Sequence, residues 1–210
     1  MTKIVPTITA GNAHIYRSEM ERVADFATRL HIDFSDGEFA PTKLIKLEQA
    51  WWPNGKQIDF HIMYKRPAEL VESLIALKPD LVVLHAESEG DLSGLLAELK
   101  SFNIATGVAL LADSLPEDYE ELIKSADHVL LFGGKLGYHG GEAALSLLSK
   151  VPKIKELNPA AELAWDGGIT ADNARPLADA GIDVLNVGGF IQQAKRPQEA
   201  YDIIDKTTNA

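Results

Sequence analysis

The segment ELAWDGGITADNARPLADAGIDVLNVGG (162–189) contains a complete strand–helix–strand unit. Its first apolar run ends in Asp166-Gly167-Gly168, and Thr170 is suited to cap a helix over 171–180. Gly181 is suited to terminate that helix, and a second apolar run ending in two glycines follows at once. Two short β-rich runs joined by one helix predict parallel neighbouring strands, because a helical crossover is the usual connection between them.

The same alternation extends through the rest of the chain. Six further β-rich runs precede this unit, spaced by about 20–30 residues, as strand–helix units require. They are KIVPTIT (3–9), RLHIDFS (29–35), QIDFHIM (57–63), LVVLHAE (81–87), ATGVALL (105–111) and HVLLFGG (128–134). Pro67 predicts a helix start, Ser114 with Glu117 predicts a capping box, and 197–206 predicts the last helix.

Eight strand–helix units in one chain favour a closed (β/α)8 TIM barrel over an open doubly wound sheet. Several strands are apolar at nearly every residue, which is typical of a parallel sheet covered on both faces. No linker or low-complexity tract divides the sequence, so we expect residues 1–210 to form a single barrel domain.

Composition excludes several classes of protein. The chain has 210 residues, a net charge of −11 and no cysteine. The lack of cysteine excludes disulfides, thiolate zinc sites and a cysteine nucleophile. The acidic balance disfavours binding to nucleic acid or to anionic membranes. No signal peptide or long apolar run is present, so we expect a cytoplasmic protein.

Polar residues late in otherwise apolar strands mark the candidate active site, since TIM-barrel sites lie at the carboxyl ends of the strands. His31 and Asp33 are two residues apart and therefore point to the same side of a strand. His61 on the next strand and Asp166 from the far side can join them. These nitrogen and oxygen donors suit one divalent ion, namely Zn²⁺, Fe²⁺, Mn²⁺ or Co²⁺.

A lone histidine in a strand is more often a hydrogen-bonded core residue than a metal ligand. Four such groups at predicted strand ends favour a metal site, because each would be costly to bury without a partner. His85 and Glu87 have two interpretations that the sequence leaves open: they orient the metal ligands, or they form a simple buried pair.

Glycines cluster after the last three strands. They occur in GYHGG (137–141), at Gly167-Gly168 and at Gly188-Gly189. Glycines let the backbone approach a ligand closely, and TIM barrels commonly bind phosphate after strands 7 and 8. Any single pair is explained by ordinary turns, whereas three neighbouring loops favour a phosphate site. The fingerprints of dinucleotide-binding folds and P-loop NTPases are absent.

These segments together resemble the ribulose-phosphate 3-epimerase family over essentially the whole chain. HIDFSDGEFAPT (31–42) is similar to the family's H-x-D-x-M-D-G-x-F-x-P signature, and DFHIM (59–63) is similar to D-x-H-L-M. The remaining matches are LHAE (84–87), TGVAL (106–110), GYHGGE (137–142), WDGGI (165–169) and VGGFI (187–191).

The resemblance implies a (β/α)8 barrel of the ribulose-phosphate-binding type and an isomerase that interconverts D-ribulose 5-phosphate and D-xylulose 5-phosphate through an enediolate. It implies Asp33 and Asp166 as the acid/base pair and His31, Asp33, His61 and Asp166 as ligands of one divalent metal ion. It also implies a substrate- and phosphate-binding set of Thr7, His61, Gly140, Gly141, Gly167, Gly168, Gly188 and Gly189.

The chain departs from the family pattern around the sugar. Ser35 replaces a methionine, and Leu111-Ala112 replaces the usual Asn-Pro after strand 5. Lys135-Leu136, His139 and Glu142 alter the strand 6 loop. An epimerase of another ketose phosphate, such as allulose 6-phosphate, is therefore an alternative.

A non-catalytic phosphosugar-binding barrel is a further alternative, although a binder has no need of two carboxylates. The Lys of a D-x-K-x-x-D decarboxylase or aldolase stretch is absent from strand 3. Trp51-Trp52 is a candidate interface of the homo-oligomer that we expect, and packing under a loop is its alternative.

Overall fold

The computed structural model describes residues 1–138 and 140–209. Eight strands form a closed barrel in the order β1-β2-β3-β4-β5-β6-β7-β8, and β8 pairs with β1. Every neighbouring pair is parallel. The strands are β1 (Lys3–Ile8), β2 (Arg29–Ser35), β3 (Gln57–Met63), β4 (Leu81–His85), β5 (Ala105–Leu110), β6 (His128–Phe132), β7 (Glu162–Asp166) and β8 (Val184–Val187). The predicted (β/α)8 barrel is confirmed.

Helices cover the outside of this barrel. They are α1 (Ala13–Val23), α2 (Val71–Leu77), α3 (Leu92–Ser101), α4 (Glu120–Ser125), α5 (Val151–Leu157), α6 (Ala171–Asp179), α7 (Gly189–Gln192) and α8 (Pro197–Asn209). The connection from β2 to β3 departs from the repeat, because it contains a short 3-10 helix, Leu47–Gln49, in place of an α-helix. None of the helices in the described ranges has both the length and the apolar character needed to cross a bilayer.

The predicted strands begin where the structure begins them, within one residue, but several end earlier than predicted. β7 stops at Asp166 because Gly167 and Gly168 adopt φ values of 103° and 68°. These left-handed conformations turn the chain out of the barrel wall, and glycine adopts them without a steric penalty. The runs 81–87 and 128–134 likewise end two residues early, at His85 and Phe132.

Two helix starts show where local patterns succeed and fail. Thr170 precedes α6 as predicted, and its backbone N–H donates to Asn173 Oδ1 at 2.8 Å. The capping box predicted at Ser114 and Glu117 is wrong, since Leu115 is the N-cap of the 3-10 helix that precedes α4. The Ser114 hydroxyl instead donates to Glu87, which lies two residues after the end of β4.

The barrel interior is arranged in layers, because alternate residues of each strand point inward. At the amino ends of the strands, Arg29 donates to Asp59 at 2.7 Å and pairs with Glu162 at 2.9 Å. Above this charged layer lies a buried apolar cluster of Val5, Leu81, Val83, Ala109, Leu130, Ala164 and Val184. The polar residues at the carboxyl ends of the strands lie directly above this apolar cluster.

Candidate active site

The four predicted metal ligands meet inside the carboxyl end of the barrel. Asp33 on β2 pairs in register with His61 on β3, and His31 lies one inward position below Asp33. Asp166 reaches the group from β7 at the opposite side of the barrel. All four side chains are buried, and one donor atom from each lies within 4.8 Å of the others. The arrangement brings two imidazoles and two carboxylates to one point.

Short distances within this cluster show how closely the donors converge. His61 Nδ1 lies 2.8 Å from Asp33 Oδ1 and 3.9 Å from Asp166 Oδ2. His31 Nε2 lies 3.5 Å from Asp33 Oδ1 and 3.4 Å from Asp166 Oδ2. Asp33 and Asp166 thus approach the same two imidazoles from opposite walls of the barrel.

The charges of the cluster favour a cation. Burial would raise the pKa of Asp33, but His31 and His61 beside it hold that pKa well below its usual range. Burial would lower the pKa of His31, but the adjacent Asp166 and Asp33 carboxylates outweigh it and raise the pKa to about 10. Asp33 is therefore ionised at neutral pH, and a metal ion that binds here displaces a proton from His31.

Unpartnered atoms give a direct test of whether these residues fit a metal ion. His31 Nε2 meets the carboxylates only in ion-pair contacts of 3.4 and 3.5 Å, and neither it nor Asp166 Oδ2 makes a well-formed hydrogen bond to any residue of the described ranges. Buried polar atoms are normally satisfied, so these atoms point to a missing partner. Histidine nitrogen and carboxylate oxygen are ligands that Zn²⁺ and other first-row divalent ions accept. The residues therefore fit one divalent ion.

His85 and Glu87 form a chain of contacts behind His61. His61 Nε2 lies 2.9 Å from His85 Nε2, and His85 Nδ1 lies 3.4 Å from Glu87 Oε2. Burial lowers the pKa of His85 to about 4, so this imidazole is neutral. In this structure His61 Nδ1 faces the ionised Asp33 Oδ1 at 2.8 Å, and since a carboxylate only accepts, Nδ1 donates there. A metal ion that took the place of this proton would leave the proton of His61 on Nε2, which donates to His85 Nε2. The neutral His85 would then carry its own proton on Nδ1, which faces Glu87.

This geometry favours the first of the two interpretations of His85 and Glu87, in which they orient a ligand. The other oxygen of the Glu87 carboxylate, Oε1, accepts from the backbone N–H of Leu111 at 2.9 Å and from the hydroxyl of Ser114. Glu87 is thus fixed from the loop after β5, and its second oxygen is left to face His85.

A cleft of about 230 Å³ opens beside Asp33 and Asp166. Thr7 and all six predicted phosphate-binding glycines line it: Gly140, Gly141, Gly167, Gly168, Gly188 and Gly189. His61 is completely buried and does not line the cleft, so its predicted contact with substrate stays a prediction. Among the described residues that line the cleft there is no lysine or arginine, which leaves backbone N–H groups as its main anion donors.

The glycine loops pack backbone against backbone. A Cβ on Gly168 would overlap the backbone nitrogen of Ala143, and a Cβ on Gly167 would overlap the backbone of Gly134. Both glycines also have positive φ, which strains other residues. The loops after β6 and β7 therefore depend on glycine for their close approach. His139, which interrupts the first glycine segment, lies outside the described residues.

Sequence reasoning missed two polar residues of the cleft. The Thr9 hydroxyl donates to Asp33 Oδ2 at 2.6 Å, while its backbone N–H donates to Glu19 Oε2 at 2.9 Å. Asn186 on β8 also lines the cleft, next to Asp166 in register. The two-residue period of the strands could have identified both residues. Thr9 lies on the same strand face as Val5 and Thr7, and Asn186 lies on the same face as Gly188.

Comparison with known proteins identifies relatives over nearly the whole chain. Residues 3–191 match the model of the Ribulose-phosphate 3 epimerase family. A ribulose-phosphate 3-epimerase of Helicobacter pylori is 31% identical over 201 residues, covering 92% of each chain. One from Aquifex aeolicus is 26% identical, covering 93% of this chain and 91% of its own.

Solved structures with low sequence identity share the fold. The 3-hexulose-6-phosphate synthase of Salmonella typhimurium superposes with a TM-score of 0.73 at 15% identity, covering 99% of this chain and 98% of its own. Phosphoribosyl anthranilate isomerase of Thermotoga maritima superposes with a TM-score of 0.64 at 17% identity, covering 99% and 98%. At this identity the likeness concerns the barrel alone.

Proposed function

The chain belongs to the ribulose-phosphate 3-epimerase family, and we propose that it interconverts D-ribulose 5-phosphate and D-xylulose 5-phosphate with Asp33 and Asp166 as the acid/base pair. It is an epimerase, an isomerase that acts on a phosphosugar. The observation that carries the proposal is the convergence of His31, Asp33, His61 and Asp166 within 4.8 Å, beside a cleft lined by glycines.

A divalent ion held by His31, Asp33, His61 and Asp166 would supply Lewis-acid stabilisation of the negative charge that develops on the substrate oxygens. The donor set accepts Zn²⁺, Fe²⁺, Mn²⁺ or Co²⁺. His85 and Glu87 support this role, because His85 Nε2 lies 2.9 Å from His61 Nε2 and would accept a hydrogen bond from it when His61 Nδ1 binds the ion, while Glu87 faces His85 Nδ1.

Two carboxylates on opposite walls suit inversion at a carbon next to a ketone. One aspartate removes the proton from one face of C3 to give the enediolate, and the other returns a proton to the opposite face. Asp33 on β2 and Asp166 on β7 approach the cluster from two sides, and both line the cleft. Thr9 donates to one oxygen of Asp33 and so fixes the orientation of that carboxylate.

The glycine loops suit the phosphate group. Gly189 lies close to the backbone of Gly140, and all six predicted glycines line the cleft: Gly140, Gly141, Gly167, Gly168, Gly188 and Gly189. Backbone N–H groups bind phosphate oxygens without a side-chain cation, and they hold the far end of the substrate while the carbon end reacts.

An epimerase of a longer ketose phosphate is the second candidate. Ser35 and the loop after β6 depart from the family pattern, and Gly137 and Tyr138 of that loop line the cleft, which motivates this alternative. Homo-oligomerisation through Trp51-Trp52 and a cytoplasmic location stay predictions. Trp51 is partly exposed and packs edge-on against Tyr16.

The test is turnover by purified protein that has been stripped of metal and reloaded separately with Zn²⁺, Fe²⁺, Mn²⁺ and Co²⁺. We expect at least one metal to support conversion of D-ribulose 5-phosphate into D-xylulose 5-phosphate, followed by nuclear magnetic resonance. Allulose 6-phosphate, assayed in parallel, should be turned over more slowly. Preference for the hexulose would replace the proposed substrate, and binding without turnover of either would favour the non-catalytic barrel.

A further inference from the structure

Asn186 is a buried amide with no partner. Its side chain is 1% exposed, and neither Nδ2 nor Oδ1 makes a hydrogen bond to any residue of the described ranges. Its side chain nevertheless lines the cleft. A buried amide that is left unsatisfied destabilises a protein, so an unpaired donor and acceptor facing a binding cleft indicate a ligand.

The position of Asn186 defines which part of a substrate it meets. On β8 it pairs in register with Asp166 on β7 and with Val5 on β1. Gly188, one of the predicted phosphate-binding residues, lies two positions further along the chain. Asn186 therefore lies between Asp166 of the donor cluster and the glycine loop that contains Gly188. If the phosphate binds at the glycine loops, the part of the substrate that links its reacting carbons to its phosphate would pass this position.

The chemistry of the amide narrows the ligand to a hydroxyl group. A hydroxyl donates one proton and accepts another, so it can satisfy both Oδ1 and Nδ2. A phosphate oxygen would satisfy Nδ2 alone and would leave Oδ1 unpaired. A hydrocarbon segment would satisfy neither atom.

A structural asparagine in the same protein looks different. Asn158, after α5, donates through Nδ2 to the carbonyl oxygens of Ile123 and Ala126, both at 2.8 Å. Its Oδ1 accepts from the backbone N–H of Ala161 at 3.1 Å. Asn158 therefore satisfies its amide within the fold, whereas Asn186 does not.

We propose that Asn186 is a specificity-determining residue that binds the substrate hydroxyl lying between the reacting carbons and the phosphate. The proposal rests on the proposed function, in which C3 reacts at the donor cluster and the phosphate binds at the glycine loops. In a pentulose 5-phosphate this group is the C4 hydroxyl. Asn186 thereby makes tight substrate binding depend on a hydroxyl at C4. A barrel that only binds phosphate would not show this dependence.

The test compares Asn186→Val with wild type on two substrates, D-ribulose 5-phosphate and its 4-deoxy analogue. Loss of one hydrogen bond predicts a fall in kcat/KM of about tenfold or more on D-ribulose 5-phosphate. On the 4-deoxy analogue the variant should match or exceed wild type, because the hydroxyl is already missing. Equal losses on both substrates, or no loss on either, would overturn the proposal.

A stability measurement separates this role from a structural one. Without ligand, Asn186→Val should leave Tm unchanged or raise it, since it removes an unsatisfied buried amide. The matched control Asn158→Val should lower Tm, because it removes satisfied hydrogen bonds. A fall in Tm for Asn186→Val as large as that for Asn158→Val would assign Asn186 to the fold and overturn the proposal.

Binding without turnover tests Asn186 even where the proposed function fails. The Tm shift produced by D-ribulose 5-phosphate should exceed the shift produced by the 4-deoxy analogue in wild type, and the two shifts should be equal in Asn186→Val. Inorganic phosphate should shift both proteins alike. A wild-type protein that binds with this pattern but does not epimerise would refute the reaction and retain the assignment of Asn186. Wild-type shifts that do not distinguish the two sugars would overturn the assignment.

Discussion

Glu87→Gln should disfavour the proton arrangement of His61 and His85 that metal binding at His61 Nδ1 requires. The backbone N–H of Leu111 requires an acceptor, so the amide oxygen of a glutamine takes the place of Glu87 Oε1. Its NH2 group then faces His85 Nδ1, which is 3.4 Å from Glu87 Oε2 in the wild type. His85 must accept at Nδ1 and donate from Nε2 to His61. His61 then accepts at Nε2 and keeps its proton on Nδ1, the nitrogen that must lose it to bind a metal ion.

The magnitude follows from the loss of one correctly oriented ligand. Changes to groups that orient a metal-bound histidine weaken metal affinity by about 10–100-fold. We therefore expect Zn²⁺ affinity, measured by competition with a chelator, to fall by that factor in Glu87→Gln. Tm of the metal-free variant should change little, because the substitution preserves shape and keeps the contact with Leu111.

Glu89→Gln is the matched control, since Glu89 is exposed and pairs only with Lys65 at the surface among the described contacts. It should bind Zn²⁺ as wild type does. Nitrogen-15 chemical shifts of the Zn²⁺-loaded proteins report the tautomer of His85 directly. Wild-type Zn²⁺ affinity in Glu87→Gln, together with an unchanged His85 tautomer, would refute the reasoning.

Three further perturbations test separate parts of the molecule. Gly168→Ala should lower Tm and reduce phosphate affinity by tenfold or more, because the φ of Gly168 is 68° and a Cβ there would overlap the backbone of Ala143. Unchanged phosphate binding, measured by calorimetry, would contradict this. Burial would raise the pKa of Glu162, but His128 and Arg29 beside it lower that pKa below its ordinary value of 4.5. The ionised Glu162 therefore stabilises the fold above pH 4.5, and this stabilisation is lost as the pH falls through the lower folded-state pKa. Glu162→Gln should therefore lower the free energy of unfolding by about 2 kcal/mol at pH 7 and progressively less below pH 4.5, as urea titrations at several pH values would show. Thr9→Val should reduce kcat about tenfold by freeing one oxygen of Asp33, whereas Thr9→Ser should retain activity; equal activity of both variants would exclude the role assigned to Thr9.

The fold was predictable because strand alternation is a local property of sequence. The run 29–35 predicts both a strand and the inward direction of His31 and Asp33, since a period of two places them on one face. The convergence of Asp166 with that pair also followed, because the carboxyl ends of all barrel strands meet at one rim.

Other features depend on which side chains meet across the barrel, and no local pattern reports that. Ser114 has the spacing of a helix cap, yet its hydroxyl bonds Glu87 from another strand. Thr9 contacts Asp33 only because β1 and β2 are neighbours at that height. Asn186 is conspicuous only once its surroundings show that no residue satisfies its amide.

Incorporation of solvent deuterium at C3 tests the central claim most directly. Metal-loaded protein in D2O should equilibrate D-ribulose 5-phosphate with D-xylulose 5-phosphate and place deuterium at C3 of both, because one aspartate removes a proton and another group that exchanges with solvent returns one. Asp33→Asn and Asp166→Asn should each abolish interconversion. Epimerised product that retains its original C3 hydrogen in D2O would contradict the account.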